Sequence, residues 1–406
     1  MKLWMKNTKK EMVWKECPVP KDSPKYLDDT RGLRNISKDD CHQRVGFDTG
    51  REFLKVTGNT LDKSSKGNNL PTDSNLFTDD FIYSGVKKLQ MLGIAENVVE
   101  DYENVSKLYK ACDFSQMDHE IVTFTGDQKM GYTLCGHGGQ NGKKPCIYCL
   151  AEGPFNGDED AELRTLGMCR KDYQDFVDNG SKRGEQAKFN NIINEPLFIG
   201  PDNKLVLDCF PPPTLHLLLR TMNHILDKLT EAGKTYFLDE NGNGLDIVLQ
   251  FAKENWIVKK SYHGGNYEGN MCLAILKKLE RLEAKLPEDL KPFTNCLYNL
   301  KNVMSSCFGS EVSPDYIVHI DNFKESFKVL GISITPTLHS VFHHVKHWYA
   351  RHGTSHGLAY FGEQATETAH TDWMKVWLKG YKVADSHPNY GDKLLSCVAK
   401  YNRDRR

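Results

Sequence analysis

Cys146 and Cys149 form a Cys-x-x-Cys pair nineteen residues after Asp127, within FTGDQKMGYTLCGHGGQNGKKPCIYC. No other feature constrains the fold of this chain as tightly. Two thiolates at that spacing suit zinc, a borderline-soft ion that needs four ligands. Asp127 follows the apolar run Ile121-Val122-Thr123-Phe124. A strand that ends in an aspartate presents hard oxygens at a sheet edge, where Mg²⁺ chemistry is usually found. A structural metal and a catalytic one are therefore both expected near residues 124–149, with their remaining ligands elsewhere in the chain.

The chain has 406 residues, 39% of them hydrophobic, with six tryptophans, enough for a substantial core and for more than one domain. No run approaches the roughly 18 apolar residues of a membrane span. The first residues, MKLWMKNTKKEMVWKE, are charged and lack the apolar stretch of a secretory signal. Twelve cysteines in such a chain read as reduced thiols and metal ligands, which places it in the cytoplasm or nucleus. The net charge of −1 argues against a protein that merely coats nucleic acid. Its basic ends still permit a nucleic-acid partner.

Residues 1–40 are polar, contain Pro18, Pro20 and Pro24, and show no period. Gln43–Asp48 and Phe53–Thr57 flank Thr49-Gly50-Arg51 and read as a β-hairpin, with Asp48 closing its first strand. Residues 62–80 read as loop. A third strand is expected over Gly85–Gly93, a helix over Val105–Ala111 and a fourth strand over Glu120–Phe124. That order matches a ribonuclease-H-like sheet, in which the first and fourth strands are neighbours and Asp48 and Asp127 converge. Residues 41–150 would form this first part of the core.

Residues 152–200 are charged and glycine-rich and read as a surface excursion, and Leu205–Asp208 as a short strand. Leu215, Leu218, Leu219, Met222, Ile225, Leu226 and Leu229 recur at helical spacing. Further helices are expected near 270–285, 289–305 and 315–330, so that 151–333 forms a mainly helical insertion. Residues 334–382 hold the histidine-studded helix TPTLHSVFHHVKHWYARHG and a closing helix from Tyr360 to about Tyr381. Residues 383–406 read as a basic tail.

Three carboxylates on separate elements can bind two Mg²⁺ (or Mn²⁺) ions and cleave a phosphodiester without a protein nucleophile. Asp48 and Asp127 supply two, and Glu363 or Glu367, one helical turn apart, the third. Either aspartate taken alone is more often a turn or cap residue. His339, His343, His344 and His347 are candidates to complete the zinc site, and Cys135 and His137 compete with them. On an ideal α-helix His339 and His343 share a face, whereas His339 and His344 lie about 140° apart.

The order Asp48, Asp127, Cys-x-x-Cys, helical insertion, paired histidines, glutamate resembles the catalytic core of the recombination-activating protein one family (the V(D)J recombinase) and the related Transib-like DDE transposases. The resemblance covers roughly residues 41–382. The step from Asp127 to Cys146 is similar to that family's, and His339 and His344 resemble its second zinc pair. Gly362–Glu367 resembles its S-E-x-x-x-E stretch, whose second glutamate is catalytic. LDCFPPPTLH (207–216) and YHGGNYEGN (262–270) resemble signatures of transposon-derived relatives. The resemblance implies a ribonuclease-H-like α/β fold, a mixed sheet interrupted by a large helical insertion tethered through zinc on Cys146, Cys149, His339 and His344. It also implies Mg²⁺ on Asp48, Asp127 and Glu367, nuclear nicking and strand transfer on double-stranded DNA at element termini, and a homodimer. A catalytically inactive, zinc-stabilised DNA- or protein-binding remnant is the alternative.

Overall fold

The computed structural model describes residues 2–6, 12–16, 23–50, 53–64, 88–96, 98–159, 161–259, 265–384 and 386–405. The chain is mixed α/β and divides into two compact units. One comprises Met1–Gly153, Ala161–Pro213 and Ala359–Arg406, the other Pro154–Asp160 and Thr214–Leu358. No helix among the described residues is long and apolar enough to cross a membrane.

The first unit is built on a mixed sheet of β1 (Lys2–Lys6), β2 (Met12–Glu16), β3 (Cys41–Gly50), β4 (Phe53–Asp62), β5 (Gln90–Glu96) and β6 (Val122–Thr125), ordered β2-β1-β5-β4-β3-β6. β3 and β4 are an antiparallel hairpin that sets Asp48 opposite Lys55, and β5 pairs antiparallel with β4. β6 runs parallel to β3, with Val45 beside Phe124 and Gly46 beside Thr125. The first and fourth strands of the expected sheet are thus neighbours. β1 and β2, inside the segment where the sequence showed no period, extend the sheet beyond β5.

Residues 41–47 of β3, 53–61 of β4 and all of β5 are buried. Both sheet faces are therefore covered, which removes the polar–apolar alternation of a half-exposed sheet. Phe47, Tyr109, Phe114 and Phe124 form an aromatic cluster on one face, with Tyr109 coming from the helix Tyr102–Ala111. Asp101 caps that helix by accepting the Asn104 amide. On the other face the helices Gln364–Gly380 and Tyr390–Arg403 bring Trp373, Trp377, Leu394, Val398 and Tyr401 against Phe53, Met91 and Ile94.

Several expectations are corrected here. The third strand lies at Gln90–Glu96, not Gly85–Gly93, of which residues 85–87 fall outside the described residues. Gly93 does not end the strand. It sits within it, because an added Cβ would lie 2.8 Å from Cys112 Sγ. Residues 62–80, read as loop, fall largely outside the described residues. Residues 152–200 are not only a surface excursion: the helix Leu166–Asp178, capped by Thr165, buries Leu166, Cys169 and Phe176 and keeps its charges outward. Leu205–Asp208 is not a strand. Leu205 makes one isolated bridge to Thr165, and Val206–Cys209 turns helical. Residues 383–406 are not a tail, since Leu394, Leu395, Val398 and Tyr401 give Tyr390–Arg403 a buried face while its lysines point outward.

The second unit is helical. Its helices include Thr214–Gly233, Gly269–Lys277, Lys291–Val303 and Tyr316–Val329, close to the expected bounds. Gly331, at φ 63°, follows the last of these in the left-handed conformation that a glycine adopts without strain.

Successive side chains of a strand alternate faces, so Gly46, Asp48 and Gly50 share the face covered by Gln364–Gly380. A Cβ at Gly46 would lie 2.2 Å from Thr366 Oγ1 and 2.8 Å from Thr57 Oγ1, and one at Gly50 2.9 Å from His370 Cε1. The glycines let the helix lie directly on β3. Gly46→Ala is expected to destabilise the protein by about 1–3 kcal/mol, the cost of overpacking a filled site. Thr366→Ala in the same chain should recover part of that loss, read as the denaturation midpoint. A Gly46→Ala protein as stable as wild type would show that the helix does not bear on this strand.

Candidate metal centre

The helix Gln128–Cys135 ends at Gly136, φ 74°, and the chain turns back to Cys146-Ile147-Tyr148-Cys149. The Tyr148 amide lies 3.3 Å from Cys146 Sγ, so the backbone already curls around that sulfur. Arg164, fully buried, donates from Nε to the carbonyls of both Cys146 and Cys149 at 3.0 Å and holds the loop from behind. Burial, together with the Cys149 thiol, pushes the Cys146 thiol well above its ordinary value. Without a cation the Cys146 thiol stays protonated, and a metal that binds it must displace that proton.

The histidine-rich segment is not a uniform α-helix. Thr335 caps Pro336–His339, a π-helical turn covers Ser340–His344, and Val345–His352 continues as α-helix. Within the turn the Val345 amide donates to the Ser340 carbonyl five residues back. A π-turn accommodates one extra residue, which rotates the i+5 position towards the face that i+4 takes on an α-helix. The rings of His339 and His344 accordingly lie 5.0 Å apart. One ligand atom from each of Cys146, Cys149, His339 and His344 falls within 4.8 Å of all the others, and all four residues are buried.

This group could hold a metal ion, and its chemistry suits zinc. Zn–S bonds near 2.3 Å and Zn–N bonds near 2.0 Å give tetrahedral edges of about 3.3–3.8 Å. Four protein ligands leave no open position for substrate, as in structural rather than catalytic zinc sites. His343 is turned elsewhere. Its Nε2 lies 3.1 Å from the Gly157 carbonyl, and burial lowers its pKa to about 4, so it is a neutral donor at pH 7. The other two competitors are also engaged. His137 has one ring nitrogen on the Lys144 carbonyl and the other on the Gly139 amide, both at 3.0 Å, and Cys135 Sγ lies 4.0 Å from Cys169 Sγ.

The carboxylates are placed differently. Asp127 is the N-cap of Gln128–Cys135, its Oδ1 accepting the Met130 amide at 2.7 Å. Continuing the β3–β6 register two residues beyond Gly46–Thr125 sets Asp48 level with Asp127. Asp48 Oδ2 lies 3.8 Å from Lys55 Nζ, and that buried ammonium also donates to the Phe53 carbonyl at 3.1 Å. Glu363 is buried at the start of Gln364–Gly380 and raises the pKa of buried Arg44 against the lowering effect of burial, while Glu367 is half-buried one turn on. Among the described residues, the groups whose ligand atoms all lie within 4.8 Å of one another are the Cys₂His₂ set and Glu159, His339 and His343. Asp48, Asp127 and Glu367 do not form such a group. Arg164 and Glu159 carry no sequence motif and escape a reading of the sequence, Glu159 inside the acidic run Asp158-Glu159-Asp160.

No family model matches the chain, and no curated protein matches it significantly.

Two outcomes are expected. The purified protein should carry one zinc, lost in Cys149→Ser and His344→Ala but retained in His343→Ala, as read by elemental analysis. Retention in His344→Ala with loss in His343→Ala would reverse the assignment. The second concerns Lys55, whose pKa burial lowers from 10.5 to about 8, partly offset by Asp48. Between these values the unfolded chain holds a proton that the folded chain has released, so stability should rise as pH climbs from about 8 to about 10.5. Lys55→Met should flatten that rise in denaturation midpoints without added magnesium. An unchanged slope would exclude Lys55 as its source.

Proposed function

We propose that this protein is a DDE-type transposase- or recombinase-like enzyme of ribonuclease-H-like fold that nicks double-stranded DNA and transfers the strand with Mg²⁺ or Mn²⁺. The observation that supports the reading is the parallel pairing of β3 with β6 up to Gly46–Thr125, because Asp48 and Asp127 each follow that last pair by two residues. The partial order β5-β4-β3-β6 within the six-stranded sheet supports the reading, because a ribonuclease-H-like sheet also has its first and fourth strands side by side. The helix that carries Glu363 and Glu367 lies on the Asp48 face of β3 through Thr366 and His370.

In this reading Asp48, Asp127 and Glu367 hold the ions, which supply water activation and stabilisation of the leaving oxygen. Asp127 can do so while capping its helix, because Oδ1 takes the Met130 amide and a carboxylate has a second oxygen. Asp48 would hold a cation in place of its 3.8 Å contact with Lys55. Zinc on Cys146, Cys149, His339 and His344 has a structural role. The homodimer, the DNA termini as target and a nuclear location belong to this proposal through the family resemblance.

A second reading is favoured by one observation: the three carboxylates do not gather into one ion-sized group among the described residues. In that reading the chain is a zinc-stabilised DNA- or protein-binding remnant that no longer cleaves. Nicking of duplex DNA bearing the element's own terminal repeats separates the two. Mg²⁺- or Mn²⁺-dependent nicking by wild type, reduced at least about 100-fold in both Asp127→Ala and Glu367→Ala at unchanged zinc content, is the outcome expected of the enzyme. A folded, zinc-loaded wild type that does not nick would establish the remnant.

A further inference from the structure

The residues around His339 carry an inference that rests on the zinc reading and extends it. Phe155–Glu159 covers the His339 ring. Phe155 stacks on it with centroids 4.3 Å apart and planes 9° apart, and Glu159 Oε2 lies 3.4 Å from its Nδ1. Glu159 is itself held firmly. Its Oε1 accepts the amides of Asn156 and Gly157, and its Oε2 the Gly157 amide at 3.2 Å. The next anchor is Asp158, which accepts from Lys324 at 3.1 Å and Lys328 at 2.6 Å on the helix Tyr316–Val329. The segment is therefore fixed to its own unit by bonds that do not involve a metal.

We propose that Glu159 is a positioning residue for zinc: it accepts the Nδ1–H of His339 and thereby commits Nε2 of that ring to the ion. An imidazole has one proton between two nitrogens, so the partner of one nitrogen decides which lone pair is available at the other. A carboxylate on Nδ1–H also raises the ligand's basicity, and outer partners of this kind contribute about 10–100-fold to metal affinity. Glu159, His339 and His343 could instead hold a second ion. That arrangement is disfavoured because His343 Nε2 is already directed at the Gly157 carbonyl and Oε1 of Glu159 at two amides. Oε2 takes the Gly157 amide and has a further lone pair for a ring N–H, with His339 Nδ1 at 3.4 Å nearer than His343 Nε2 at 3.9 Å.

The test is competition of the full chain for Zn²⁺ against a chromophoric chelator, in wild type, Glu159→Gln and Glu159→Asp. Wild type should bind one Zn²⁺, Glu159→Gln should bind it about 10–100-fold more weakly, and Glu159→Asp should fall between them. A second readout is the Co²⁺-substituted protein, where the exchangeable His339 ring N–H should give a shifted proton resonance that weakens or moves in Glu159→Gln. A purely structural role would leave that resonance unmoved. Equal affinity in wild type and Glu159→Gln would overturn the proposal. So would two bound Zn²⁺ falling to one, which would make Glu159 a ligand. A wild type that binds no Zn²⁺ at all would remove the zinc reading itself, a result distinct from either.

Discussion

The hydrogen bond from the Val345 amide to the Ser340 carbonyl is the constraint on which the metal centre depends. It lengthens one turn by a residue, and His344 at i+5 lies as near to the His339 ring as His343 at i+4 does, with centroids 5.0 and 4.8 Å away. In a regular α-helix His344 would point about 140° away from His339. With the wider turn His344 joins the set and His343 is released to the Gly157 carbonyl. A π-turn has poorer backbone geometry than the helix on either side and needs compensation. Burial of Leu338, Val341, Phe342 and Val345 supplies apolar packing there, and bound zinc would add its own free energy to the same turn.

A second constraint acts on the sheet. β3 is buried on both faces, and its neighbours approach more closely than a side chain permits. Gly46 and Gly50 admit Thr366 and His370, and a Cβ at Gly126 would lie 2.9 Å from the Phe47 carbonyl. The closeness at Gly126 keeps the residue before Asp127 against the Phe47 carbonyl of β3. The same clearances explain why a helix entering at Glu363 lies on the Asp48 face.

Much of this arrangement is legible in the sequence, for identifiable reasons. The hairpin reads through Gly50 and its flanking apolar runs, the long helices through leucine spacing, and the metal pair through Cys146 and Cys149. The choice of His344 over His343 came from resemblance rather than geometry, because a π-turn leaves no periodic signature: it is a local accommodation to packing. Arg164 and Glu159 were illegible for a related reason. Each acts through contacts to residues whose proximity only the tertiary fold creates, and each sits in charged sequence that resembles a solvated face. Gly93 looks like a strand terminator in sequence, because the Cys112 sulfur that fills the place of its side chain is brought there only by the fold. In Tyr390–Arg403 the lysines and the arginine outweigh a narrow apolar stripe, so the sequence reads as a tail.

The carboxylates pose a question of competing bonds that magnitudes help to resolve. An N-cap contributes about 1 kcal/mol, and the Asp127 cap engages one oxygen of two. The Asp48–Lys55 contact is long, at 3.8 Å, but the ammonium is buried and its pKa is already low, so removing its anion leaves a costly charge. Lys55 has a remedy that a buried arginine lacks: with its pKa lowered to about 8 it can give up its proton near neutral pH. A divalent ion arriving at Asp48 would favour that loss by like-charge repulsion. Neither existing bond therefore bars a cation from the strand ends. In the proposed two-metal reading Asp48, Asp127 and Glu367 would still have to gather into one group, and Glu367 is carried by the helix Gln364–Gly380, whose first turn packs Thr366 against Gly46.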